Sequence, residues 1–189
     1  MPFFDKPELK RAAGRPSSTY KSISESRREL KGLPLDTSFD IFLSHCFSDL
    51  DYVLGLKNTI EKMGYSVYTD WDADSDLNRR AVTAETASIL RQRMKYSRCV
   101  FYAVSGSSSE SKWMPWELGY GDGLHSKVAI VPVTDRGQDS EDYRGLEYLG
   151  LYPYVVYDGH IGKVTDDLYI HRSENEYIYF PEWMQGKSI

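Results

Sequence analysis

Phe39-Asp40-Ile41-Phe42-Leu43-Ser44-His45-Cys46-Phe47-Ser48-Asp49 is the stretch that decides the fold. Its first half is an apolar run of strand length, and Ser44 to Asp49 is a polar loop. Behind it Val53, Leu56, Ile60 and Met63 recur at intervals of three, four and three, the spacing of one face of a helix. Gly64 supplies the stop, and Tyr65 to Thr69 alternates into a second strand ending at Asp70.

The same rhythm continues. A polar loop from Asp70 to Asn78 precedes a helix from about Arg79 to Lys95, and an apolar strand follows from Cys99 to Val104. Another helix begins near Met114 or Pro115, a fourth strand covers Val128 to Val133, and Val155 to Tyr157 offers a fifth. Strands alternating with helices imply a parallel sheet, because parallel neighbours need crossovers and helices usually make them. The expectation is an α/β fold: a five-stranded parallel sheet with helices on both faces. Ligands in such sheets bind beyond the carboxyl ends of the strands. The Ser44 to Asp49 loop, the Asp70 to Asn78 loop and the Ser105 to Trp116 segment all leave those ends, so they can share one cleft.

Within the last of these lies Ser111-Lys112-Trp113-Met114-Pro115-Trp116-Glu117-Leu118-Gly119-Tyr120-Gly121, which joins a carboxylate to two large rings and several small residues. Proline is tolerated best in a first helical turn, so the helix starts near Met114 or Pro115 and Glu117 falls in that turn. A carboxylate there is stabilised by unpaired N–H groups and the helix dipole. On a continuous helix, the spacing of four sets the Trp113 ring and the Glu117 carboxylate on one face. Such a pair suits a flat cationic ligand. Two readings of Glu117 stand at this point: a helix-start acid with local electrostatic work, or a functional carboxylate in the cleft. Trp113 is either a core anchor or a surface for that ligand, and Trp116 reads as a packing residue.

These motifs together resemble the Toll/interleukin-1 receptor (TIR) domain family. Phe39 to His45 is similar to the family's opening strand, Gly64 to Asp70 to its second strand, and Trp113 to Glu117 to the tryptophan, three residues, glutamate signature of its enzymatic members. The resemblance spans about Phe39 to Asp158 and implies a flavodoxin-like TIR fold. It divides the chain into an N-terminal extension (1–37), a TIR domain (38–158) and an aromatic-rich C-terminal extension (159–189).

Enzymatic members cleave the bond between nicotinamide and ribose in NAD+, so the resemblance makes NAD+ a substrate rather than a cofactor and Glu117 the catalytic residue. That chemistry suits a single carboxylate. The transition state carries positive charge on the ribose, as in glycoside cleavage, while nicotinamide leaves neutral without a strong general acid. The resemblance further implies substrate contacts from Ser44, His45, Asp70, Trp71 and Trp113. Cys46 and Phe47 stand where other members carry arginines, which shifts any pyrophosphate contact toward Ser44, backbone N–H groups or the helix start. The resemblance is strongest to stand-alone bacterial TIR proteins, some serving Thoeris-like antiphage signalling, with self-association through TIR surfaces and a separate effector that responds to an ADP-ribose-derived product.

Asp70, Asp72, Asp74 and Asp76 alternate in the manner of a calcium loop, but the sixth position is Ser75, the twelfth is Ala81, and a strand precedes them. No metal is expected. By resemblance this is the loop that covers the cleft and mediates association. Arg79 and Arg80 at the next helix start read as a solvated end or a phosphate-attracting pair. His125, His160 and His171 lack metal spacing.

Composition sets outer bounds. The chain has 189 residues, 41% of them hydrophobic, which is enough for one buried domain with extensions. A net charge of -5 argues against a general nucleic-acid binder. Two cysteines, Cys46 and Cys99, make neither a disulfide framework nor a metal site. No long apolar segment suggests membrane insertion, so a reducing cytoplasm is expected. Met1 to Ser38 carries eight Lys/Arg against five Asp/Glu, while the remainder carries fifteen against twenty-three. That first segment reads as an arm or a marginal helix over Ile23 to Lys31, either a flexible tail or a segment that docks another protein. Leu168 to His171 and Tyr177 to Phe180 alternate as a hairpin whose rings cover the domain.

Two other functions are compatible with the residues. One is a non-enzymatic TIR scaffold, which has no need for Glu117 beside Trp113. The other is a nucleoside hydrolase or deoxyribosyltransferase, where a glutamate also meets a glycosidic bond.

Overall fold

The computed structural model describes residues 3–14, 22–30, 32–69, 83–106, 108, 111–135, 147–158 and 167–189. In chain order the elements are β1 (Phe4–Asp5), α1 (Lys6–Gly14), α2 (Ile23–Leu30), β2 (Phe39–Ser44), α3 (Leu50–Lys62), β3 (Val67–Tyr68), α4 (Ala84–Lys95), β4 (Ser97–Val104), α5 (Met114–His125), β5 (Val128–Thr134), β6 (Tyr154–Asp158), β7 (Asp167–Ser173), β8 (Glu176–Tyr179) and α6 (Phe180–Met184). Short 3-10 turns occupy Phe47–Asp49 and Glu147–Leu151.

The sheet runs β3-β2-β4-β5-β6-β7-β8. From β3 to β6 all neighbours are parallel, so the five expected strands stand in the flavodoxin-like order. Side chains alternate across this sheet and fill two cores. Ile41, Leu43, Cys99, Phe101, Ala129 and Val131 pack with residues of α1, α3 and α6. Phe42, Val100, Tyr102, Val128 and Ile130 pack with Leu30 of α2, Leu90 and Met94 of α4, and Met114 and Leu118 of α5. The period-two pattern read from sequence therefore holds, with both faces apolar because both are covered.

Among the described residues the sheet has eight strands rather than five, and the additions come from the two extensions. The C-terminal hairpin also extends the sheet: β7 pairs antiparallel with β6, and β8 with β7. Helix α6 then returns Phe180 and Trp183 to the first core. At the other end, β1 pairs with Val133 and Thr134 of β5, while Phe4 stacks on Tyr157 with centroids 5.5 Å apart. A two-residue strand is too short to display any alternation, which is why sequence reading missed it.

Helix α1 is likewise fixed. Gly55 in α3 lets the backbone of Leu9 approach so closely that a Cβ there would lie 2.0 Å from the Leu9 carbonyl oxygen. Asp5 accepts the Glu8 N–H at 3.0 Å, and Lys6 pairs with Asp135 at 3.2 Å. For residues 3–14 the flexible arm is thus corrected to a packed strand and helix. Helix α2 matches the marginal helix expected there.

Candidate active site

The site forms where β2 ends and α5 begins. Ser44, the last residue of β2, pairs with Tyr102 of β4 and follows Phe42 on the face that α5 covers. Helix α5 comes close because Gly121 meets β4: a Cβ at that position would lie 2.6 Å from Val100 Cγ2. Trp113, Glu117 and Gly121 are spaced by four, so the face that the glycine lowers onto the sheet also carries the ring and the carboxylate. Helix α5 thereby carries Glu117 one turn before the close approach, beside the end of β2.

Glu117 is fully buried and accepts a hydrogen bond of 2.5 Å from the Ser44 hydroxyl. Its N–H donates to the Trp113 carbonyl at 2.9 Å, which closes the first turn of α5 as the proline position implied. Trp113 is 5% exposed and packs in the second core, edge-on to Trp116. Trp116 in turn stacks on Tyr120, with centroids 5.6 Å apart, in keeping with a packing role. His45 is fully buried, and its Nδ1–H donates to the Leu43 carbonyl at 3.0 Å, which turns the ring back against its own strand. Ser44, Glu117, Trp113 and His45 therefore gather at one end of the sheet. Asp70 and Trp71 lie outside the described residues, as do Asp72, Asp74, Asp76, Arg79, Arg80 and His160.

A buried carboxylate costs free energy unless hydrogen bonds replace water, and Ser44 supplies one. In so dry a place an ionised oxygen acts strongly on a nearby cation, because little solvent screens it. The arrangement can steady positive charge on a small ligand and exclude water from it.

Sequence reading passed over a second polar group at the same sheet end. Asp49, 6% exposed, accepts a short hydrogen bond from the hydroxyl of Ser105. Ser105 N–H donates to Ser108 Oγ at 2.7 Å, and Ser111 Oγ accepts the Met114 N–H at 3.2 Å. Serine at every third position from Ser105 to Ser111 was the available signal. Elsewhere, burial pushes the Cys99 thiol up, and both cysteines are free. His125 Nε2 lies 2.8 Å from the Met94 carbonyl. His171 stacks on Tyr177, and burial holds its pKa below the usual histidine value. Among the described residues no three His, Cys, Asp or Glu side chains group as a metal site, and no helix is long and apolar enough to cross a membrane.

No family model matches the chain. Among curated proteins it is 44% identical over 182 residues to "Probable 3' cyclic ADP-D-ribose synthase ThsB'" of Bacillus cereus (strain MSX-D12), covering 89% of this chain and 94% of that protein. It is also 28% identical over 101 residues to "Putative cyclic ADP-D-ribose synthase TIR2" of Cytobacillus dafuensis, covering 53% of this chain and 27% of that one. With the flavodoxin-like strand order, and a near full-length relative at this identity, the chain belongs to the ThsB' family of Thoeris-like bacterial TIR proteins.

Proposed function

We propose that this chain cleaves NAD+ at the nicotinamide–ribose bond and closes the remaining ADP-ribose into a cyclic signal. One observation carries the reading: the buried Glu117 carboxylate held by Ser44 one turn from Trp113, in a chain 44% identical over 182 residues to a relative named as a probable 3' cyclic ADP-D-ribose synthase.

The bond between ribose C1 and the pyridinium nitrogen breaks with its electron pair passing to the ring, so nicotinamide departs neutral. Positive charge is left on the ribose, and Glu117 steadies it as carboxylates do for oxocarbenium-like states. Trp113 offers its face to the cationic ring before cleavage, a contact of roughly 0.5 to 2 kcal/mol. A hydroxyl oxygen of the same molecule then bonds to C1, and its proton passes to the Glu117 carboxylate and on to solvent. Burial bears on the product: where water is kept out, the internal hydroxyl meets the ribose cation first, and the product is a ring rather than linear ADP-ribose. Water would add its oxygen to C1 instead.

Glu117 and Trp113 are both covered in this structure, so substrate entry requires the cover to move. We assign that role to association between copies of the chain, with Ser44, His45, Asp70, Trp71 and Trp113 as substrate contacts, and with a separate effector reading the product. Free, buried thiols at Cys46 and Cys99 fit a cytoplasmic setting.

The test is incubation of concentrated protein with NAD+, followed by mass spectrometry for wild type and Glu117→Gln. Nicotinamide and a cyclic ADP-ribose from wild type alone are expected. Equal nicotinamide release by both proteins removes Glu117 from the mechanism, and release from nucleoside monophosphates but never NAD+ supports the hydrolase reading.

A further inference from the structure

Asp49 occupies the position just before α3 where a carboxylate ordinarily accepts the free N–H groups of the first turn, yet it makes no such bond. Its side chain is 6% exposed and is directed across the sheet end to the Ser105 hydroxyl. A carboxylate that gives up both water and its own helix start is costly where it sits unless other donors replace them, and the Ser105 hydroxyl is such a donor.

The bond leads along a continuous path to the catalytic turn. Ser105 N–H donates to Ser108 Oγ at 2.7 Å, and the Ser108 hydroxyl reaches the Ala103 carbonyl at 3.2 Å. Ser108 N–H also donates to the Ser105 carbonyl and Ser111 N–H to the Ser108 carbonyl, each at 3.3 Å. Ser111 Oγ then accepts the Met114 N–H at 3.2 Å, at the first residue of α5. Met114 opens the turn that contains Glu117, and Glu117 is bound to Ser44, five residues before Asp49. The links form a closed circuit: β2 end, Asp49, the three serines, the start of α5, Glu117, and β2 end again. A ring of this kind fixes the catalytic turn through its start as well as through the bond from Ser44 to Glu117 itself.

We propose that Asp49 is a positioning residue for Glu117, acting through Ser105, Ser108 and Ser111 to set the first turn of α5. The inference rests on the NAD+-cleaving reading for its kinetic consequence, but not for its structural one.

The experiment measures both. Nicotinamide release from NAD+ gives kcat and KM for wild type, Asp49→Ala, Ser105→Ala, the double variant and Asp49→Asn. Amide hydrogen exchange on the same proteins compares residues 113–118 with helix α4 as an internal reference. Expected for either alanine variant is a kcat lower by about 10- to 100-fold with KM within about threefold, the result of displacing a group rather than losing a substrate contact. The double variant should be no worse than the worse single one, because both break the same link. The amide oxygen introduced by Asp49→Asn can still accept the Ser105 hydroxyl, so this variant should recover at least about a third of the lost kcat. Exchange at 113–118 should rise in the alanine variants while α4 is unchanged.

Full kcat in Asp49→Ala, additive losses in the double variant, or exchange that rises equally in α4 and α5 would each overturn the proposal. If wild type releases no nicotinamide, the NAD+ reading fails, and the exchange comparison still decides the positioning role. Should Asp49→Ala fail to fold, Ser105→Ala and Asp49→Asn carry the same comparison.

Discussion

Replacing Glu117 by glutamine separates the charge of this side chain from its shape. The amide has nearly the same volume, and its carbonyl oxygen can still accept the Ser44 hydroxyl that now lies 2.5 Å from the carboxylate. What disappears is the capacity to carry a negative charge, at a fully buried position. At about 4 Å from a ribosyl cation, a unit charge is worth about 4 kcal/mol at the effective dielectric of a protein site, against about 1 kcal/mol in water. Since about 1.4 kcal/mol is a tenfold change in rate, the burial seen here sets the expected loss in kcat/KM near 10³-fold, where an exposed carboxylate would give only about fivefold. The hydrogen bond itself weakens from a charged to a neutral type, by about 1 kcal/mol, so the melting temperature should move by only about 2 to 4 °C. Nicotinamide release followed by chromatography, with a thermal melt on the same samples, measures both quantities. A variant retaining more than a tenth of wild-type kcat/KM with an unchanged melt would refute the argument that this buried charge stabilises the transition state.

Three further outcomes follow from the same structure. Ser44→Ala should lower kcat/KM by about 10- to 100-fold, the value of a hydrogen bond to a charged group, and restoring the hydroxyl with threonine should return part of it; nicotinamide release again gives the answer. Gly55→Ala drives a Cβ to 2.0 Å from the Leu9 carbonyl oxygen, so it should destabilise the chain by about 1 to 3 kcal/mol in urea unfolding and expose α1 to limited proteolysis. Burial pushes the Asp40 carboxyl up, but the Ser66 N–H and hydroxyl together with Arg98 outweigh it and hold its pKa below the usual value. A depressed carboxylate stabilises the fold above its unfolded pKa and loses that contribution as pH falls toward the folded value. Asp40→Asn should therefore lower the urea midpoint at pH 7, and the gap to wild type should narrow below about pH 4, the ordinary aspartate range. A gap that is constant with pH would show that the lowered pKa is not what stabilises this corner.

The strand-and-helix alternation from Phe39 to Tyr157 was legible because periods of 2 and 3.6 are written locally. The start of α5 was legible through Pro115, and the closing turn of α3 through Gly64, whose φ of 95° is a conformation glycine adopts readily. The spacing of Trp113, Glu117 and Gly121 likewise set one face of a helix on its own. It could not say what that face would meet. The partner of Glu117 is Ser44, 73 residues away, and the partner of Ser105 is Asp49, 56 residues away.

Such pairings come from which strands become neighbours, and β2 lies beside β4 only because the sheet doubles back around β2. The same holds for the ends of the chain. Phe4 and Asp5 carry no pattern, yet they join β5 because its carboxyl end offers unpaired backbone groups and Tyr157 offers a ring to stack on. Local order, turn positions and the chemistry available at each loop were thus set by the residues themselves. The burial of the carboxylate, and the polar circuit that holds it, exist only once distant loops share one end of a sheet, since hydrogen bonds form between groups that meet in space and sequence spacing records only those that meet within a turn or two.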